Sequence, residues 1–180
     1  MRVPHRSLAL AALALALLLG LGACTGGRLQ AGNSLTCPRA SFVAGTERVT
    51  RFPPNAQPAP QNAAVEIQLA DLETSCRINR VRAEAALEFG ILVERRNTTA
   101  VETLGVPFFV AVTDVAGNIL VKHNFVSRPY FAAGVPAVTV SERIDETLPL
   151  TEGQRAVAFE ILIGIQLTPA EYEYNLVRPR

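Results

Sequence analysis

The stretch VRAEAALEFGILVE, residues 81–94, decides the fold. Val81, Ala83, Ala85, Leu87, Phe89, Ile91 and Val93 share one parity, and Arg82, Glu84, Glu88 and Glu94 share the other. Successive side chains of a strand point to opposite faces, so this alternation predicts a long strand with one buried face. The Ala and Glu content favours a helix by intrinsic propensity, but a helix would scatter these charges around its circumference. Gly90 in so long a strand suggests a bend or bulge, and Arg82 and Arg95 are available as partners for the glutamates.

Working outward, the same period recurs. In VAFEILIGIQL, residues 157–167, Val157, Phe159, Ile161, Ile163, Ile165 and Leu167 share a face, which predicts a central strand. It ends at Thr168-Pro169-Ala170-Glu171, where Thr168 can cap, Pro169 suits the first helical position and Glu171 completes a capping box. A short helix through about Leu176 should follow. Upstream, VPFFVAVT (106–113), turn chemistry at 114–118 and a returning run at 119–126 read as a hairpin. Val65, Ile67 and Leu69 alternate with Glu66 and Gln68. Residues 135–144 give another strand, although Glu142 falls on the apolar parity, which a bulge or a place near the sheet edge would explain. Asp145-Glu146 reads as a turn. Residues 42–44 and 48–52 are short extended candidates around a Gly45 turn. The four prolines of 53–62 make an exposed polyproline-like loop, with a Pro-rich peptide ligand as the alternative.

These elements predict an all-β fold: a single antiparallel β-sandwich over residues 37–180, about seven or eight strands, with a short C-terminal helix. No βαβ alternation points to a parallel sheet. The chain has no Trp, so it lacks the buried tryptophan of antibody-type domains, and "immunoglobulin-like" describes architecture alone.

The N-terminus carries an address. Arg2 and Arg6 precede residues 8–23, sixteen residues of only Leu, Ala and Gly, the layout of a secretory signal. The run is shorter than the roughly 18–20 residues of a bilayer-spanning helix. Its ending, Leu21-Gly22-Ala23-Cys24, resembles the lipobox of bacterial lipoproteins. That resemblance implies a leader over 1–23 cut before Cys24, with diacylglycerol in thioether linkage on Cys24 and acylation, as with palmitate, of its freed amine. An ordinary secretory signal and an uncleaved anchor are the competing readings. One acyl chain binds a membrane only marginally, whereas two or three make a persistent anchor. Thr25 stands where an aspartate retains enteric-type lipoproteins in the inner membrane, so the resemblance implies the outer membrane. Residues 24–36, rich in Gly, Ser, Asn and Thr after the cysteine, read as a lipidated flexible tether with a coil reach of about 20 Å.

Loss of the leader takes Arg2 and Arg6 from the 17 basic residues and none of the 16 acidic ones. The near-neutral balance supports neither nucleic-acid binding nor a polybasic membrane patch. Export places Cys37 and Cys76 in an oxidising compartment, where a disulfide is the default and two buried free thiols the alternative. The spacing lacks a C-x-x-C, and a mature chain would keep one histidine, so no metal site is expected. No cofactor is expected either, since the sequence lacks a P-loop, a dinucleotide fingerprint, G-x-S-x-G and H-E-x-x-H. His123 is the one histidine base available to a nucleophile, and it reads as a strand or rim residue. Tyr172 and Tyr174, beside the helix start, are the possible interaction surface, with packing of the helix across the sandwich as the alternative.

Beyond the lipobox, the Cys37-Pro38 opening, the hairpin FFVAVTDVAGNILVKHNF and the closing EILIGIQLTPAEYEYN are similar to small outer-membrane lipoproteins of alphaproteobacteria, a family of uncharacterised function. The expectation is therefore a non-enzymatic, lipid-anchored binding or structural module. It would face the periplasm and present a sandwich face or loop to another envelope protein or a small apolar ligand. The alternative is an assembly factor or chaperone that takes clients by strand addition, and an enzyme is the remote third.

Overall fold

The alternating segments become ten strands in the computed structural model, which describes residues 37–177. The expected leader (1–23) and the tether (24–36) with Cys24 lie outside the described residues. In chain order the elements are β1 (Arg39–Phe42), β2 (Arg48–Arg51), β3 (Val65–Ile78), β4 (Arg82–Arg95), β5 (Glu102–Thr103), β6 (Val106–Asp114), β7 (Ile119–Ser127), β8 (Tyr130–Phe131), β9 (Ala137–Pro149), β10 (Phe159–Ile165) and the helix α1 (Pro169–Val177). One four-stranded sheet has the order β1-β10-β6-β7, the second β2-β3-β4-β9, and β5 pairs with β8 alone. The eight strands of the two larger sheets match the expected number. One pair departs from the antiparallel expectation, because β1 runs parallel to β10 with Arg39 opposite Glu160.

The parity of β4 is realised from Ala83 onward, where Ala83, Ala85, Leu87, Phe89, Ile91 and Val93 are all buried, whereas Val81, expected on the same face, precedes the strand in the β3–β4 turn and is exposed. From the facing sheet come Val106, Phe108, Val110 and Val112 of β6 and Phe159, Ile161, Ile163 and Ile165 of β10. Phe89 meets Phe108 edge to face, ring centroids 5.6 Å apart, an arrangement favoured by the ring quadrupoles. At about 25 cal/mol per Å² of apolar surface, this interior is the main stabilising term. Val157, expected at the start of β10, instead lies in a one-turn 3-10 helix (Ala156–Ala158) and is exposed.

Three local features depart from the simple alternation. β3 runs past Leu69 to Ile78 because a bulge flips its parity: Ile67 and Leu69 point inward before it, Leu72 and Cys76 after it. The register shifts between Ala70 and Glu73, with Asp71 at φ 55°. Gly90 lies opposite Ala70, and a Cβ there would sit 3.7 Å from the Ala70 carbonyl oxygen. The bulge suggested by Gly90 thus belongs to the strand across from it. β9 pairs with β4 without interruption, so Asp145 and Glu146 are strand residues, not a turn. An uninterrupted ladder keeps Glu142 and Glu146 on the inward parity, and the position of β9 at the sheet edge leaves Glu142 only half-buried.

Register fixes the ends of the sandwich. Arg82 lies opposite Pro149, Asp114 opposite Phe159, and Arg39 opposite Glu160. The β3–β4 turn, the β6–β7 turn and the β9–β10 connection therefore share one end. Cys37 and Cys76 form a disulfide at that end, Cα atoms 5.7 Å apart. It staples the approach to β1 in one sheet to the end of β3 in the other.

Candidate functional site

The open side of the sandwich lies between the two long edge strands, β7 and β9. Among the described residues β7 pairs only with β6, and all but two of its side chains are exposed, including Ile119, Leu120, Val121 and Val126. The register of β6 and β7 shifts between Val112 and Thr113, which leaves Leu120 as an extra residue in β7. A bulge and a central lysine are ordinary ways of blunting a sheet edge. Here Lys122 folds back over the Phe109 ring, its Nζ 4.3 Å from the centroid.

His123, from β7, reaches Glu146 of β9, with Nε2 and Oε2 4.0 Å apart. The imidazole is half exposed while the carboxylate is buried. Burial pushes the Glu146 carboxyl above its ordinary value, and the nearby His123 opposes the rise. Among the described residues no hydroxyl or thiol hydrogen-bonds to His123, so the pair is not joined to a nucleophile. Phe125, next on the same face, stacks on Phe108 with centroids 5.2 Å apart. The His–Glu contact therefore sits at the rim, where the core meets solvent.

Tyr172 and Tyr174 serve the docking of α1. The capping box closes as expected: the Thr168 amide donates to Glu171 Oε2 at 2.7 Å, and the Glu171 amide donates to Thr168 Oγ1 at 3.3 Å. Glu171 also pairs with Arg51 Nε at 3.3 Å. Asn175 Nδ2 donates to the carbonyls of Gly45 and Arg48 at 2.9 and 2.6 Å. Tyr174 meets Phe52 edge to face at 5.0 Å. Tyr172 lies against Gly45, where a Cβ would come within 3.2 Å of its ring. Gly45 also has φ +82°, a left-handed backbone that favours glycine. Tyr172 keeps 42% of its surface exposed.

Sequence reasoning missed Arg95. It was expected to pair with the glutamates of β4, but its side chain is 2% exposed and turned inward. Nε donates to the Val135 carbonyl at 3.1 Å, Nη1 to Ala100 at 2.8 Å, and Nη2 to Ala132 at 2.9 Å. Glu102 Oε2 lies 3.4 Å from Nη1, and the Phe131 ring 4.6 Å beneath. The arginine thereby fastens the β4–β5 and β8–β9 connections to each other. The signal was present, since Arg95 continues the inward parity of Ile91 and Val93.

At the stapled end, a cleft of about 400 Å³ opens between the β3–β4 turn and the β9–β10 connection. Ile78, Leu150 and Ala156 give it apolar walls, and Arg80 and Arg155 stand at its sides. Among the described residues no three His, Cys, Asp or Glu side chains are grouped to hold a metal ion. Among them, too, no helix is long and apolar enough to cross a membrane. Comparison with protein-family models, curated proteins and solved structures finds no match to this chain.

Proposed function

We propose that the chain is a lipid-anchored lipoprotein of the outer membrane, facing the periplasm. Its β-sandwich binds an extended segment of another envelope protein along β7. The observation that carries the binding role is the β7 edge: nine residues that, among the described residues, pair on one side only and carry exposed aliphatic side chains. An edge of this kind offers main-chain hydrogen bonds for affinity and alternate side-chain positions for specificity. The disulfide suits an exported protein. The leader and lipobox supply the address, and Cys24 the anchor. No cofactor enters this reading, and nucleic acid is not among its partners.

A second reading, an assembly factor that takes many clients by strand addition, is favoured by the same free edge. One experiment separates the two. A photo-crosslinking residue at Val126 on β7 is compared with one at Ser75, an exposed position on β3, in cells expressing the full chain. A single adduct of defined mass from Val126 alone supports a dedicated partner, and a ladder of adducts supports the assembly factor. Equal labelling at both positions, or none at Val126, overturns both. The anchor has its own test: mass spectrometry of the purified native protein should find an N-terminal, acylated Cys24. An intact leader or an unmodified Cys24 would refute it.

A further inference from the structure

The stapled end joins three features. Its turns carry exposed aliphatic side chains: Val81 at the β3–β4 tip, 65% exposed, Val115 at the β6–β7 tip, 84% exposed, and Val157 in the β9–β10 connection. Among the described residues, the guanidinium groups of Arg80 and Arg155 make no hydrogen bond or ion pair, whereas Arg82 is bridged to Glu84 at 2.7 Å and Arg77 lies opposite that same Glu84 in the β3–β4 register. Of the acids at this end, Asp114 is engaged by its own turn: the Ala116 and Asn118 amides and the Asn118 side chain all donate to it. Glu152 lies in the same connection as Arg155, and Glu160 accepts from Ser41 Oγ. The near-neutral balance of the whole chain conceals this local arrangement of free arginines around apolar tips.

The third feature is covalent. Cys37 is held to Cys76 at this end, and only twelve residues separate Cys37 from Cys24. Even at full extension so short a stretch of chain spans at most about 43 Å, less than the roughly 46 Å of the fourteen residues of β4. On the lipid-anchor reading, the chain leaves the sandwich toward its anchor from Cys37, at this end rather than the α1 end.

We propose that the stapled end is a membrane-docking face, in which Val81, Val115 and Val157 enter the headgroup layer while Arg80 and Arg155, flanking the cleft, take lipid phosphates. This rests on the lipid-anchor reading and adds an orientation to it. Aliphatic tips beside arginines suit the headgroup boundary, where apolar burial and attraction to anionic lipid act together. The pose leaves β7 extending away from the bilayer, open to a partner from the side.

The absence of tryptophan from the chain makes the test clean. The acylated full-length protein is placed in vesicles of phosphatidylethanolamine and phosphatidylglycerol whose acyl chains are brominated near the headgroup. Val81→Trp and Val115→Trp report on the docking tips, and Val101→Trp on an exposed site at the far end. All three are surface substitutions that leave the core untouched. The expected result is about twofold or greater quenching at the two tips and little at Val101. Arg80→Glu with Arg155→Glu should restore emission in the Val115→Trp protein. Equal quenching at all three sites, or none at the tips of protein that still floats with the vesicles, overturns the docking face and leaves the anchor standing. Protein that does not float with the vesicles overturns both.

Discussion

Replacing Arg95 with methionine is the sharpest test of how this fold is held together. Methionine approximates the aliphatic stem and keeps a packing surface against Phe131, so what is lost is the guanidinium. Three backbone carbonyls, from Ala100, Ala132 and Val135, then lose their donor. Hydrogen bonds to a charged group contribute about 1.5–3 kcal/mol each, giving a ceiling of roughly 5–9 kcal/mol. Two effects lower it: the connections can relax to admit water, and the desolvation of the guanidinium is recovered. The expected loss is about 3–4 kcal/mol, or roughly 10–15 °C in Tm for a body of this size. Arg95→Lys should recover part of it, because an ammonium keeps the charge but cannot reach three divergent carbonyls in one plane. Urea unfolding with the disulfide intact measures the loss. Hydrogen exchange should place it first in β5 and β8, which the arginine fastens, before the β4–β6–β10 core. A methionine variant within about 1 kcal/mol of the parent, or a lysine variant equal to it, would refute the clamp.

Further outcomes are as concrete. Ile163→Asp puts a charge at a fully buried position between β1 and β6, a cost well above about 5 kcal/mol; a soluble protein with an unchanged melting curve would show β10 to be misplaced. Replacing Cys37 and Cys76 together with alanine frees a loop of sequence separation 39 and should cost about 3–4 kcal/mol in the chain-entropy picture; a Tm unchanged between oxidised parent and variant would contradict it. Glu146 carries a raised pKa, chiefly from burial, so its contribution to stability is full below the ordinary carboxylate range and lost as pH rises through the raised value. Glu146→Gln should therefore raise Tm at neutral pH and converge with the parent in acid, and a lower Tm at neutral pH would mean that the attraction to His123 outweighs burial.

Much of this architecture was legible because a half-buried strand writes its face into every second residue. The interior of β4, the β6–β7 hairpin, β10 and the Thr168–Glu171 box were all readable from period and end chemistry. What was not legible has a common cause: a change of parity or of neighbour that no local window records. β3 looked five residues long because the bulge at Ala70–Glu73 moves its apolar set from odd to even positions. Asp145-Glu146 looked like a turn because two acids in an apolar strand are out of place, unless the strand lies at an edge. Arg95 looked like a surface partner because its residue type outweighed its parity. The parallel pairing of β1 with β10 joins residues about 120 apart in sequence and leaves no local trace.

The edges connect stability to the proposed role. A sandwich of two four-stranded sheets has four edges, and here two are the four-residue strands β1 and β2, too short to template another chain. β9, with thirteen residues, carries Glu142 and Glu146 on its inward parity, where an added sheet partner would bury them further. Burial raises the Glu146 pKa, so this guard is expected to carry the neutral-pH cost that Glu146→Gln measures. β7 has no inward carboxylate: its protection is a bulge near one end and Lys122, while Val121 and Val126 stay uncovered. A fold that shortens two edges and puts inward carboxylates on a third leaves β7, with Val121 and Val126 beside Lys122 and His123, as the edge on which the proposed partner would add. Removing the guard should therefore redirect association. A Glu142→Val, Glu146→Val chain should acquire concentration-dependent self-pairing through β9, read by cross-linking, and the parent should not.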